Sequence, residues 1–293
     1  GGLPPAKGGR PVPEELASTP RALVIYNPAA GQRDRRADVQ AVMHFLMDRG
    51  WDVALDTTSG RGTATALAAR AVDDGRNVVL VAGGDGTLNE AIQALAHTDV
   101  ALGVLPSGTG NVWAKELRLP EDNALAAARL LADGVIRSMD LGLAGQRYFM
   151  LMAGVGFDAE VTRAVEAKLK RRLGVLAFIL TGVPTALQLP GARATIAVDG
   201  RRFRRRLILL VVGNTRVWGG GFQITDVARA DDGLLDACLF EGRGLFAKAR
   251  HFLSVILRRH RQDPEVEYFQ AREIRVVARP PAPIHLDGEY VGT

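Results

Sequence analysis

Three glycine-rich stretches carry the residue types needed to hold a polyphosphate: Asn27-Pro28-Ala29-Ala30-Gly31, Gly83-Gly84-Asp85-Gly86-Thr87-Leu88-Asn89-Glu90 and Pro106-Ser107-Gly108-Thr109-Gly110-Asn111. Glycine lets the backbone approach phosphate closely and aim its N–H groups in conformations that other residues avoid. Thr87, Ser107 and Thr109 add hydroxyl donors. Each stretch comes just before a segment of helical spacing, whose orphan N–H groups and positive dipole end would face the same anion. A single such stretch is equally well a tight turn. Three on one edge of a sheet point to nucleotide or phosphate binding.

Asp85 stands out because a carboxylate between glycines repels phosphate unless it holds a metal, a hydroxyl or backbone donors. It is expected either to cap the following helical turn or to join a magnesium–phosphate network. Other nucleotide motifs fit poorly. No stretch ends in Gly-Lys-Ser/Thr, and Gly84-Asp85-Gly86-Thr87-Leu88-Asn89 closes on Asn where a dinucleotide fingerprint has Gly. The ribose-binding acid of that fingerprint is also missing, since its place falls within Val104 to Ser107. None of the five histidines has a metal-ligand spacing to a second His or Cys, so no zinc site is expected.

These loops must be positioned by alternating strands and helices. Ala22 to Tyr26, Asp52 to Thr57, Asn77 to Ala82 and Ala101 to Leu105 read as strands. Asp34 to Arg49, Thr63 to Asp74, Thr87 to His97, Asn111 to Leu117 and Asn123 to Asp133 read as helices. Strands alternating with helices imply a doubly wound, largely parallel sheet. After about Ser138 the texture changes to short Val-, Ile- and Leu-rich runs, with the hairpin signal Ala194 to Val198, Asp199-Gly200, Leu207 to Val212. Leu235 to Phe240, Glu273 to Ala278 and Ile284 to Leu286 continue that pattern. The expected organisation is a flexible leader over residues 1–20, a nucleotide-binding α/β domain over 21–138 and a mostly antiparallel β domain over 139–293.

The chain carries a net charge of +5, with basic clusters at Lys168 to Arg172, Arg201 to Arg206 and Arg258 to Arg261. Such clusters attract anionic partners, and with no aromatic stacking platform a nucleic acid is disfavoured. The arginines beside the hairpin are expected either on a solvated edge that discourages pairing or against anionic headgroups. The apolar segment Leu173 to Leu189 follows the first cluster and contains Pro184. It reads as a buried or half-buried helix pair, or as an interfacial element, and is short for a membrane span. The single cysteine, Cys238, lies in a strand-like run and is expected to be a buried structural thiol in a reducing, cytoplasmic setting.

With these residues assembled, the sequence resembles the diacylglycerol kinase catalytic family, in particular its bacterial lipid-kinase branch, with sphingosine and ceramide kinases as relatives and NAD kinase sharing the fold. The likeness runs from about Ala22 to Tyr290. It rests on Gly83 to Glu90 and Pro106 to Asn111, then Gly154-Val155-Gly156-Phe157-Asp158-Ala159, Asp232-Gly233-Leu234-Leu235-Asp236 and Leu286-Asp287-Gly288-Glu289 in order. It implies a C-terminal β-sandwich of the NAD kinase/diacylglycerol kinase type. It also implies ATP contacts at Asn27, Pro28, Ala29, Ala30, Gly31, Thr58, Gly83, Gly84, Asp85, Gly86, Thr87, Leu88, Asn89 and Thr109. Glu289 would be the general base, and a structural Mg²⁺ would be held by Asp232 with backbone carbonyls near Arg229 and Leu234.

The resemblance implies an ATP- and Mg²⁺-dependent lipid kinase acting at a membrane surface, with diacylglycerol as the expected acceptor and Glu289 and Asp85 as its catalytic carboxylates. Sphingoid lipids, ceramide and phosphatidylglycerol are alternative acceptors. NAD kinase fits less well, because Asn89-Glu90 follows the Gly-Gly-Asp-Gly-Thr run directly. A non-catalytic regulator fits less well, because Asp85, Asp232 and Glu289 are all present. A homodimer is compatible with the sequence, although no feature singles out an interface.

Overall fold

The computed structural model describes residues 19–157, 159, 191–218, 223–242 and 244–293. The basic cluster Lys168 to Arg172, the apolar segment Leu173 to Leu189, Asp158 and nearly all of the leader lie outside the described residues.

The N-terminal half is built on β1 (Arg21–Tyr26), β2 (Asp52–Thr57), β3 (Val78–Gly83) and β4 (Ala101–Pro106), paired in parallel in the order β2-β1-β3-β4. β1 and β3 are apolar at nearly every position because both sheet faces are covered. Leu23, Ile25, Val79 and Val81 point to one face, against helices α2 (Thr63–Asp73), α3 (Asp85–Leu95) and α4 (Val112–Glu116). Ala22, Val24, Leu80 and Ala82 point to the other, against α1 (Arg36–Asp48) and α5 (Ala124–Ala132).

The helix boundaries differ from the sequence expectation for local reasons. α1 starts at Arg36 rather than Asp34, because the Asp34 carboxylate accepts from the Arg36 N–H and the Tyr26 hydroxyl and so closes the preceding turn. α3 starts two residues before Thr87, with extended Gly84 as its N-cap. α4 starts after Asn111, which adopts φ 45° and bonds back to Gly108 through both ends of its amide.

A short ribbon, β5 (Gly142–Ala144) with β6 (Arg147–Phe149), leads into an eight-stranded antiparallel sheet. This sheet comprises β7 (Met152–Gly156), β8 (Ala192–Val198), β9 (Arg201–Gly213), β10 (Leu235–Glu241), β11 (Val266–Ala271), β12 (Ile274–Arg279), β13 (Ile284–Leu286) and β14 (Glu289–Gly292). Its path is β11-β10-β9-β7-β13-β14, with β8 on β9 and β12 on β8. Asp199 and Gly200 both adopt positive φ, 45° and 87°, and make the tight β8–β9 hairpin foreseen from their types.

One expectation is corrected here. The arginines Arg201 to Arg206 do not lie beside the hairpin; they are the first half of its second strand, β9, and pair with β8 along their whole length. Phe203 turns inward among them, edge-on to Phe269 with the Arg205 guanidinium stacked on its ring. Arg205 is also held by Glu241 and Glu267. The edge reading survives in part: β10 pairs with β9 only from Leu207 onward, so the arginine half is paired on one side.

One face of the sheet is covered by its own core, which includes Phe149, Leu210, Leu239 and Leu286. The other face carries Val211, Cys238 and Phe240 beneath helix α6 (Gly244–Ile256). Cys238 is fully buried, and burial pushes its thiol up to about 12, as a structural cysteine requires. No helix among the described residues is long and apolar enough to cross a membrane.

Candidate active site

β1 has β2 on one side and β3 on the other, so the chain leaves these two strands in opposite directions. A crevice opens at such a switch, beyond the carboxyl ends of the strands. The loops Asn27 to Gly31 and Gly83 to Gly86 leave β1 and β3 at that point, and the loop after β4 lies beside them. The Asn27 amide donates to Thr87 Oγ1 at 2.8 Å, and the Ser107 N–H donates to the Gly83 carbonyl at 3.1 Å, so the three loops are joined.

The glycines are explained chiefly by this junction. A Cβ on Gly31, which has φ 72°, would sit 2.3 Å from the Ser107 carbonyl oxygen, and one on Gly108 would sit 2.6 Å from Gly84 Cα. Close approach of loop to loop, rather than of loop to phosphate, requires glycine at these two positions. The hydroxyls are also partly committed. Ser107 is buried and donates to the Leu105 carbonyl, and Thr87 is buried under Asn27, whereas Thr109 faces solvent. α3 has no side-chain cap at its N-terminus, so its first N–H groups open toward the crevice.

Asp85 does cap a helix, but not its own. Its Oδ2 accepts from the Val112 N–H at 3.0 Å and its Oδ1 from the Trp113 N–H at 3.1 Å, closing the start of α4 and locking the third loop to the second. The side chains of Leu88 and Asn89 are both buried, Leu88 within the core and Asn89 within a polar network, so only their backbone faces the loop. Thr58 is buried behind the first loop, with its N–H on the Tyr26 carbonyl.

That polar network carries the residues the sequence did not disclose. Asp287 sits in the β13–β14 turn, and its carboxylate accepts N–H bonds from Met150, Leu151 and Met152 at 2.8 to 2.9 Å and from the Asn89 amide at 2.7 Å. Burial pushes its carboxyl up, but four donors occupy its lone pairs and favour the ionised form. Gln93 clasps the Tyr148 backbone at both N–H and carbonyl, so α3 is fastened to β6 as well. The turn is thereby clamped to α3, which brings Glu289 over its first turn. A Cβ on Gly86 would lie 3.6 Å from Glu289 Oε1.

Glu289 Oε2 accepts from Arg147 at 2.5 Å and from Arg61 at 3.1 Å. Burial would raise its pKa, but the two guanidiniums outweigh that and hold the carboxyl below the usual glutamate range. Two guanidiniums against one carboxylate also leave this corner of the crevice positive, the sign a polyphosphate needs. Glu90, one residue beyond Asn89, reaches the N-terminus of α2 and accepts from the Gly62 and Ala64 N–H groups.

The suggested metal ligands lie elsewhere. Asp232 is exposed and accepts from the Leu234 N–H, while the neighbouring Gly233 N–H donates to Asp140 at 2.7 Å. The Arg229 side chain is paired with Asp231, leaving only backbone oxygen to offer from that residue. No group of three or more His, Cys, Asp or Glu side chains suited to a metal occurs among the described residues. A cation here would therefore be held by one or two carboxylates and backbone carbonyls, the hard oxygen set that Mg²⁺ accepts.

The profile of the diacylglycerol kinase catalytic domain matches residues 21–144. That of the YegS C-terminal NAD kinase beta sandwich-like domain matches residues 152–293. A diacylglycerol kinase of Bacillus subtilis (strain 168) is 32% identical over 93% of this chain and 90% of its own length. One from Staphylococcus carnosus (strain TM300) is 30% identical over 93% and 89%. The chain belongs to the diacylglycerol kinase catalytic family. It is a lipid kinase of two domains, an N-terminal parallel α/β sheet and a C-terminal antiparallel β domain. The fold agrees with a crystal structure of a diacylglycerol kinase from Bacillus anthracis str. Sterne, at TM-score 0.71 and 22% identity over 93% of this chain and 91% of that one.

Within this lipid kinase, the three loops are bonded to one another and Glu289 lies against the second of them, whereas Asp232, Arg229 and Leu234 do not share those contacts. Arg147 could have been suspected from sequence only as a charge placed before an apolar strand. Asp287 was visible solely as part of the motif Leu286 to Glu289.

Proposed function

We propose that the enzyme transfers the γ-phosphoryl group of ATP, with Mg²⁺, to a lipid hydroxyl, and that diacylglycerol is the acceptor. The observation that carries this reading is the placement of Glu289 over the uncapped first turn of α3, between the phosphate-type loops and the β domain. When bound with the nucleotide, Mg²⁺ would neutralise charge developing on the phosphate oxygens.

The chain's own groups have distinct tasks. The N–H groups at the start of α3, the Thr109 hydroxyl and the Asn27-to-Gly31 loop bind phosphate. Asp85 positions the third loop through α4. Glu289 is ionised at neutral pH and accepts the proton of the lipid hydroxyl as its oxygen bonds to the γ-phosphorus. The bond from that phosphorus to the β-phosphate oxygen breaks, and ADP leaves with the electron pair. Because such transition states are loose, orienting the hydroxyl matters more than a strong base, and a lowered carboxylate pKa is adequate.

Two outcomes follow at this site. In Arg147→Gln, the burial of Glu289 is less opposed, so its pKa rises. The acid limb of kcat/KM, which reports the loss of an ionised base as pH falls, should move upward from below the ordinary glutamate value of about 4.3. An unmoved limb would separate Glu289 from catalysis. In Gly31→Ala, a Cβ at positive φ presses on the Ser107 carbonyl, and a left-handed conformation alone costs roughly 1–2 kcal/mol. ATP affinity by calorimetry should fall by about tenfold or more, since each 1.4 kcal/mol is a factor of ten.

The acceptor is identified by offering labelled ATP with Mg²⁺ and mixed micelles of diacylglycerol, monoacylglycerol, ceramide, sphingosine or phosphatidylglycerol, with NAD as a separate acceptor. Label on diacylglycerol supports the reading in full. Label on another lipid corrects the substrate, and label on NAD alone overturns the lipid assignment.

A further inference from the structure

Helix α6 has its polarity reversed. Its inward side carries Ala247, Lys248, His251 and Val255 against the β sheet, with His251 edge-on to Phe240 and its Nε2 bonded to the Glu241 carbonyl. Its outward side should be polar in an ordinary surface helix. Instead every exposed position from Phe246 through Leu257 is apolar: Phe246, Ala249, Phe252, Leu253, Ile256 and Leu257. Phe246 is 83% exposed, and Leu253 and Leu257 are each 55% exposed. At 100° per residue these six share one side of the helix. A continuous apolar patch of this kind marks an interaction surface, unlike scattered single side chains.

The charges around the patch indicate what covers it. Arg250, at its margin, is neutralised by Asp263 and Glu265, and Glu241 by Arg205. Arg258 and Arg259 follow the helix directly, both exposed, and neither has an acidic partner among the described residues. The patch is thus aromatic and aliphatic, its marginal acids are each paired with an arginine, and it is edged by cationic groups at one end. Helices that lie in the headgroup region of a bilayer combine these features. A second copy of the chain is a poorer occupant. A helix of 13 residues is about 20 Å long and about 10 Å wide, well short of the roughly 800 Å² per partner that a stable interface buries.

We propose that the outward face of α6, with Arg258 and Arg259, docks the enzyme on an anionic lipid bilayer. This rests on the lipid-kinase reading for its purpose, since a diacylglycerol-type acceptor resides in the bilayer, but binding itself needs no turnover.

The test is co-sedimentation of the full chain with vesicles of phosphatidylglycerol and phosphatidylcholine in equal parts, against vesicles of phosphatidylcholine alone. Wild-type protein should sediment with the anionic vesicles and be released by salt. The pair Leu253→Glu, Ile256→Glu should lower the partition by about tenfold or more, and so should Arg258→Glu with Arg259→Glu, at roughly 1 kcal/mol per basic group. Both pairs should keep the wild-type melting temperature and full activity on a short-chain, monomeric diacylglycerol. Should the first pair destabilise the fold, Leu253→Cys carrying an environment-sensitive dye gives the same answer, because the buried Cys238 does not compete for label. Its emission should shift to the blue with anionic vesicles. Unchanged partition, an unshifted dye, or a charge variant that turns a dimer into a monomer while still binding vesicles would overturn the proposal. Vesicle binding without any lipid phosphorylation would instead sink the kinase reading and leave the docking face standing.

Discussion

Replacing Asp287 by alanine should destabilise the protein by roughly 3–5 kcal/mol, the cost of breaking a buried charged network from one side. The side chain is the common acceptor for the Met150, Leu151 and Met152 N–H groups and for Asn89. Its loss orphans three backbone donors and one amide at once, and nothing of similar size can enter to replace them. The effect would register as a melting temperature lower by on the order of 10 °C. Asp287→Asn should recover only part of this, because an amide nitrogen would face donors where a carboxylate oxygen now accepts. A melt within a degree or two of wild type for the alanine variant would show that the turn is not the clamp between α3 and the β domain.

Glu289→Gln should act oppositely, sparing the fold and removing the chemistry. The glutamine is isosteric, Glu289 lies at the crevice rather than in the core, and its ion pairs to Arg61 and Arg147 are partly solvent-exposed. Removing a general base typically costs about 10²–10⁴ in rate. We expect kcat to fall within that range while ATP affinity rises slightly, since Arg61 and Arg147 lose their competing anion. A fall in ATP affinity with kcat unchanged would make Glu289 part of nucleotide binding instead.

The parallel half of the fold was legible because burial on both sheet faces writes itself into sequence as near-continuous apolar strands such as Val78–Gly83. The phosphate-type loops were legible because glycine and hydroxyl residues cluster there. Why each glycine is needed was not legible. Gly31 meets Ser107 and Gly84 meets Gly108 across gaps that only the fold closes. Asp85 was readable as an anomaly, with capping of its own following turn one of two readings beside a magnesium–phosphate role. Its partners, Val112 and Trp113, belong to another helix that local spacing could not select. Arg201 to Arg206 misled because a strand half made of arginine defies the usual alternation. Phe203 and the acids Glu241 and Glu267 on neighbouring strands make it tolerable. Asp287 remained hidden because its donors lie more than a hundred residues away, as does Asn89, and an Asp-Gly pair in sequence signals only a turn.

The most direct measurement is a single-turnover reaction of the full chain with Mg²⁺ and diacylglycerol in mixed micelles, run in parallel with γ-labelled and α-labelled ATP. Wild-type enzyme should place label in the lipid fraction from the γ-labelled nucleotide only, and Glu289→Gln should do so at a rate lower by about 10² or more. No lipid-borne label from wild-type protein that binds ATP, or equal transfer by the Glu289→Gln variant, would contradict the assignment of this crevice as the site of phosphoryl transfer.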